Sequence, residues 1–297
     1  MARRDDAFVR AMPVVFVLIW STGFIVARYG MPLSPPLKFL ATRYALSILC
    51  FLPWIILAKV AWPQSRAQWQ HLAVTGILMH ACYLGGVWAA VKAGMGSGLA
   101  ALIVGLQPVL TAIWLSSTGS QVAKRQWFGL LLGLTGLVMV VSHKFGSGAE
   151  ATWQNLLLAV GALLGITVGT LYQKRFVAPC DVRTASVVQL GAALLVSLPV
   201  AWLEPEPMQW NAQLAGAMAW SVLALTLGGS SLLYLLIQRG GAASVTSLMY
   251  LVPPCTALLA WLLFAESITA VTLAGTLLTA VGVSLVVRSA NTANLAR

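Results

Sequence analysis

Acid is scarce in this chain. Only seven of its 297 residues are Asp or Glu, against 18 Lys and Arg, and charged residues of both signs make up 8%. A soluble domain carries about 25% charged residues. With 59% hydrophobic residues beside that shortage, the composition excludes a soluble domain and points to an integral membrane protein. Cysteine is equally sparse. Cys50, Cys82, Cys180 and Cys255 have no C-x-x-C spacing, which argues against a disulfide framework or a zinc site. His71, His80 and His143 stand alone. Nothing resembles a nucleophile–base pair, a Walker loop or a metal cluster, so neither an enzyme nor a cofactor is expected.

Long apolar runs are what the chain has instead. A transmembrane helix needs roughly 20 mostly apolar residues, and ten such spans run from about 12 to 29, 36 to 58, 70 to 91, 97 to 117, 126 to 142, 153 to 173, 184 to 202, 213 to 237, 242 to 264 and 271 to 287. The runs are continuous rather than alternating, which predicts an all-α integral membrane fold and not a β-barrel. No span contains Asp or Glu. Proton-coupled carriers commonly place a carboxylate within the membrane, so a cation pump working through one is not expected. The first span has no A-x-A cleavage site and has a partner in mid-chain, so it is read as retained rather than as a signal peptide. The tail after about residue 289 is read as a small polar stub, of the kind usually disordered.

The formal net charge of +11 reports topology rather than nucleic acid. With the N-terminus inside, Arg3, Arg4, Arg10, Lys59, Arg66, Lys124, Arg125, Lys174, Arg175, Arg183, Arg239, Arg288 and Arg297 fall inside. Arg28, Lys38, Lys92 and Lys144 fall outside, as do Glu150, Glu204, Glu206 and Glu266. That positive-inside bias predicts cytoplasmic termini.

The two halves fall into one register. Gly23 matches Gly169, Arg28 Lys174, Pro53 Pro199, Gly94 Gly240, Pro108 Pro254, Gly129 Gly275 and Gly136 Gly282, every pair being 146 residues apart. Each half holds an odd number of spans, so two copies must enter the membrane in opposite senses. The expected organisation is two inverted five-helix repeats, 1–145 and 146–297, a transporter signature.

Several polar residues inside spans have two readings. Arg43 is either a snorkelling or carbonyl-bonded structural residue or a substrate contact, and its partner in the other half is Gln189. His80 is a buried neutral histidine or a titrating switch. Trp20, Ser21 and Thr22 sit at mid-membrane, where an indole N–H needs a partner. Tyr83, Trp88, Tyr172, Tyr234 and Tyr250 are packing residues singly and suggest a cavity of mixed aromatic and hydroxyl character together. Gln107 precedes Pro108, and Pro253–Pro254 fills the matching place. A helix-interior proline frees a carbonyl and bends the helix, so Pro108, Pro254, Gly94 and Gly240 are candidate gating positions. Gly161, Gly165 and Gly169 on span 6, and Gly129 and Gly133 on span 5, read as close packing, the second face also being able to support a dimer of an otherwise monomeric protein.

The stretch Trp20 to Phe24 with Arg28, the Phe39-x-x-x-Arg43-Tyr44 segment, Gly94 through Gly136 about Pro108, and Gly240 through Gly282 with Pro254 and Ala265–Glu266 resemble the EamA family of the drug/metabolite transporter superfamily. The resemblance covers nearly the whole chain. One departure is Ser120, where the family often repeats the acidic residue that Glu266 supplies in the second half. The resemblance implies ten helices around a central cavity lined mainly by spans 1, 3, 4, 6, 8 and 9. It also implies a multi-pass protein of the bacterial inner membrane exporting small metabolites, often amino acids and in some members aromatic ones. The partners expected are a small-molecule substrate and the lipid bilayer. Carriage of a drug-like or lipid-linked substrate is the alternative within the superfamily, and a non-transporting membrane scaffold is the alternative from another class.

Overall fold

The computed structural model describes residues 2–117, 124–146, 151–229, 232 and 251–295. Among them every regular element is helical. Seven helices are long and apolar enough to cross a membrane, and Val14–Gly30, Val252–Phe264 and Ala270–Leu285 are shorter apolar helices. The elements are α1 Ala2–Gly30, α2 Pro36–Leu57, α3 Arg66–Gly76, the π-helical π1 Ile77–Cys82, α4 Tyr83–Lys92, α5 Ser97–Val104, α6 Gln107–Ser117 and α7 Lys124–Gly146. They continue as α8 Trp153–Phe176, α9 Val182–Leu203, α10 Ala212–Trp220, the π-helical π2 Ser221–Gly229, α11 Val252–Phe264 and α12 Ala270–Leu295. The stub expected after residue 289 is helical as far as Leu295.

The helix ends keep the 146-residue register. α2 and α9 both start and end 146 apart, α1 and α8 end 146 apart, and α7 and α12 start 146 apart. Shifted by the same amount, π1 covers 223–228, inside π2.

Span 4 departs from the continuous, proline-bent helix expected. It is two α-helical pieces, α5 and α6, interrupted at Gly105–Leu106. Pro108 is the second residue of α6, where its missing N–H leaves no intrahelical bond unmade. The strain is therefore taken up in the turn before it. A Cβ on Gly105 would lie 2.8 Å from Pro253 Cγ, so the break needs glycine.

Residues cluster into two units. Unit 1 is Met1–Ile25, Gly94–Thr152 and Gly229–Arg297, and unit 2 is Val26–Ala93 and Trp153–Gly228. Each unit draws on both halves of the chain.

In unit 2, α2 and α9 lie side by side and antiparallel. The backbone N–H groups of Leu37 and Lys38, at the start of α2, donate to the Glu204 carboxylate beyond the end of α9, at 3.0 and 2.8 Å. At the opposite ends, Thr184 Oγ1 donates to the Ala61 carbonyl at 3.3 Å. Glu204 thus supplies the anion that an N-terminus favours. The local cap position of α2 is Pro35, which has no acceptor side chain, whereas its counterpart Asp181 caps α9 directly through Arg183 N–H at 2.9 Å. The Arg183 guanidinium hydrogen-bonds the same carboxylate and holds Asp181 below the ordinary carboxylate range, against the opposing effect of burial. Asp181 therefore stabilises the fold above its ordinary pKa, and that contribution fades as pH falls through the lowered one. Lys38 and Lys92 complete this end by donating to the Glu206 carbonyl and carboxylate respectively. α8 crosses π1 closely, with Gly165 beside the Leu78 carbonyl and Gly169 beside Met79.

In unit 1, α7 and α12 cross antiparallel on glycine. A Cβ on Gly136 would collide with the Gly275 carbonyl and Thr279, and one on Gly282 would collide with Gly129 and Gly133 backbone. At the centre Thr279 Oγ1 donates to the Gly133 carbonyl at 3.3 Å, two residues themselves 146 apart. The Gly129/Gly133 face is consumed within the chain, so it is not the dimer surface it could have been. Glu266 is 9% exposed and accepts from Ser97 N–H at 2.9 Å, Ser97 Oγ at 2.8 Å and Gly98 N–H at 3.4 Å. Its carboxylate caps α5, whose own cap residue Gly96 has no side chain to offer.

The glycine contacts give a paired test. Gly136→Leu must push α7 from α12 and should lower stability by about 1–3 kcal/mol. Gly161 has no neighbour within 4 Å of a Cβ, so Gly161→Ala should leave the thermal unfolding of the detergent-purified protein within a degree or two of the parent.

Candidate functional site

Polar side chains converge where α2 meets the two π-helical segments, all within unit 2. A π turn widens the helix and loosens its carbonyls from the usual i→i−4 ladder. Inside a bilayer those groups need protein partners. Tyr44 Oη donates to the His80 carbonyl of π1 at 2.9 Å. Thr226 Oγ1 donates to the Ser221 carbonyl at 2.9 Å, five residues back across π2. Neighbouring residues of one helix, Arg43 and Tyr44, therefore reach both π segments.

Arg43 is 8% exposed, and its Nε and Nη2 each donate to Thr226 Oγ1 at 3.2 Å. On α9, the Gln189 backbone packs against Gly76, at the entry to π1. Gln189 is 146 residues from Arg43, and Thr226 is 146 residues from His80. Arg43 thus reaches π2 from α2, while Gln189, at the matching place on α9, lies close to the start of π1. Gly76 permits it, since a Cβ there would collide with Gln189 backbone. Tyr83, buried at 7% exposure, and His80 both feel the Arg43 charge. The Tyr44 and His80 rings meet edge-on at 6.1 Å.

The other expected site residues are placed as follows. Trp88 is 1% exposed and stacks on Phe39 at 4.4 Å between centroids, a packing position at the core of unit 2. Tyr172 Oη pairs with His71 Nδ1 at 2.8 Å, its ring against Phe176, near the end of α8. In unit 1, Trp20 is half-buried beside Phe16. Ser21 is fully buried, and its hydroxyl donates to the Val17 carbonyl at 2.7 Å. Gln107 opens α6 half-buried, and its carbonyl accepts from Thr111 Oγ1 at 2.9 Å. Pro254 lies in the first turn of α11. Gly94 adopts φ 95°, a left-handed turn that favours glycine, at the boundary of the two units. Tyr234, Tyr250 and Gly240 lie outside the described residues. Arg43, His80 and Tyr83 are the expected residues that unit 2 brings together.

Thr226, Gln189 and Glu266 are the residues that inspection for chemistry underrates. The register signals the first two, because it carries His80 onto Thr226 and Arg43 onto Gln189. Glu266 is a loop residue in sequence, and only the fold places it on the start of α5.

Two stretches, residues 11–142 and 153–288, match the model of the EamA-like transporter family. The chain belongs to the EamA-like transporter family. Its relatives include the uncharacterized inner membrane transporter YedA of Escherichia coli K12, 26% identical over 245 residues, spanning 82% of this chain and 78% of that protein. The uncharacterized transporter YvbV of Bacillus subtilis 168 is 26% identical over 278 residues, 91% of this chain and 88% of that one. A probable amino-acid metabolite efflux pump of Escherichia coli K12 is 21% identical over 200 residues, 67% and 63% of the two chains. A solved crystal structure superposes with a TM-score of 0.65 at 17% identity, covering 93% of this chain and 95% of that one, a likeness of fold. Family and apolar helices together make this a multi-pass transmembrane transporter.

The shared hydroxyl carries a clear cost. Thr226→Val removes two charge-assisted acceptor contacts from a buried guanidinium and should destabilise the purified protein by about 1.5–3 kcal/mol, whereas Thr226→Ser should keep most of that stability. Equal melting temperatures for the two variants would show that the Arg43 bonds do not hold π2.

Proposed function

We propose that the protein exports small metabolites, most simply amino acids or related zwitterionic or anionic compounds, across a bacterial inner membrane by alternating access. In this reading ten transmembrane helices form two inverted five-helix repeats, 1–145 and 146–297, with both termini cytoplasmic. The observation that carries it is the antiparallel packing of counterparts 146 residues apart, α2 on α9 and α7 on α12. Helices of equivalent position in a duplicated chain that run in opposite senses are what an inverted repeat produces. The double match of one family model adds to this, as do the names of an inner membrane transporter and an amino-acid metabolite efflux pump among the relatives.

Energetics favour facilitated or weakly coupled movement. The spans hold no carboxylate to carry a coupling proton. A zwitterion crosses without electrical work, and an anion leaving an inside-negative cell gains about 2.3 kcal/mol per charge per 100 mV. The Arg43, His80 and Tyr83 cluster of unit 2 is the proposed substrate contact there.

Purified protein in liposomes, tested for counterflow with labelled amino acids, nucleosides and sugars, should exchange at least one amino acid. Trp20→Ala and Gln107→Ala should then lower the exchange rate severalfold without loss of folded protein. Exchange of no solute would contradict the carrier reading, and unchanged kinetics in both variants would remove Trp20 and Gln107 from the substrate path.

A further inference from the structure

Among the described residues no hydrogen bond or ion pair joins the Arg43 guanidinium to a carboxylate; its titratable neighbours include Tyr44, His80 and Tyr83. Arginine stays protonated in proteins, so the charge persists. The four acids whose side chains are described are engaged elsewhere. Asp181 is bound to Arg183, Glu204 caps α2, Glu206 holds Lys92, and Glu266 caps α5. Buried charges are ordinarily paired. Arg43, less than one-tenth exposed, has instead a single neutral hydroxyl.

Its geometry leaves one edge open. A guanidinium carries five N–H donors in a rigid fork. Nε and one N–H of Nη2 go to Thr226, which leaves both N–H groups of Nη1 and the second of Nη2 along the far edge. The fully buried side-chain atoms without a partner are the hydroxyls of Ser47, Ser197 and Ser221, and no Arg43 nitrogen is among them. Nη1, which takes no part in the Thr226 bonds, is therefore not fully enclosed. The charge is not repeated at the equivalent position of α9, where neutral Gln189 stands.

We propose that the Nη1–Nη2 edge of Arg43 is an anion subsite that binds the carboxylate of the transported solute, which supplies the counter-ion that no described residue provides. Two parallel N–H donors match the two oxygens of a carboxylate. The seat deepens the transport reading and rests on it for the identity of the ligand as cargo. It makes the substrate class carboxylate-bearing solutes, and excludes their amides and simple amines. Because position 189 is neutral, the symmetric half offers no second anion seat.

Binding and transport test this separately. In the first arm, propionate is compared with propionamide as a stabiliser of detergent-purified protein at constant ionic strength. Propionate should raise the melting temperature of the wild type and propionamide should not, with the difference abolished in Arg43→Gln and reduced in Arg43→Lys. No shift with propionate in the wild type overturns the proposal, as does an equal shift in Arg43→Gln. A shift with phosphatidylglycerol but not propionate overturns it in favour of a lipid phosphate. If Arg43→Gln does not fold, the wild-type comparison of acid with amide decides. In the second arm, liposome counterflow compares each accepted amino acid with its own carboxamide. The acid should be preferred tenfold or more, and Arg43→Gln should raise its KM about tenfold to a hundredfold. Equal exchange of acid and amide by the wild type overturns the subsite while leaving the carrier intact. A propionate shift without exchange of any solute sustains the subsite and overturns the carrier.

Discussion

Inside a bilayer a backbone carbonyl or N–H that leaves its helix has no water to turn to. This constraint explains where the chain puts its few interior polar side chains. Where the helix widens to π geometry, Tyr44 donates to the freed His80 carbonyl and Thr226 to that of Ser221. Arg43 then fastens Thr226 to α2. Where span 4 breaks outright, the gap at Gly105–Leu106 is closed by packing Gly105 against Pro253. In unit 2 the irregular backbone and the polar side chains therefore fall together, on the elements that carry the candidate site.

The scarcity of acid has the same logic. Each described carboxylate works at or beyond a helix end, where N-terminal N–H groups lack intrahelical partners. Pro35 shows the rule at work. It occupies the cap position that Asp181 fills on the counterpart helix, and Glu204 reaches from the far side of the sequence to replace the missing acceptor. Glu266 does the same for α5. With the described acids at the ends, no described carboxylate pairs with the guanidinium at mid-span. At matching places of the 146-residue register the halves differ, with Arg43 against Gln189 and His80 against Thr226.

Much of this was legible in the residues. Helix ends followed from apolar run lengths, and the 146-residue offset located counterparts whose contacts the fold then makes, down to Thr279 on Gly133. The helical glycine spacing read correctly as packing at Gly129, Gly133, Gly165 and Gly169 but not at Gly161, which meets no neighbour, and which helix received Gly129 and Gly133 required three dimensions. The π segments were not legible. They depend on long-range bonds from α2, and no local residue choice marks them except their recurrence at one offset. The break in span 4 was misjudged because proline was taken as the bend, whereas the glycine three residues earlier, Gly105, is the residue small enough to sit against Pro253. The caps from Glu204 and Glu266 were hidden because their partners lie 166 to 169 residues away. Trp88 looked like a cavity aromatic and is a core residue, since aromatic type alone does not distinguish the two.

The account rests on opposite membrane senses for equivalent helices. The direct measurement is side-specific labelling of single cysteines at the starts of α3 and α10, Arg66→Cys and Ala212→Cys, in a chain freed of Cys50, Cys82, Cys180 and Cys255. These positions are 146 residues apart. A membrane-impermeant thiol reagent applied to intact cells should label residue 212 and spare residue 66, with the reverse in inside-out vesicles. Labelling of both from the same side would contradict the inverted repeat.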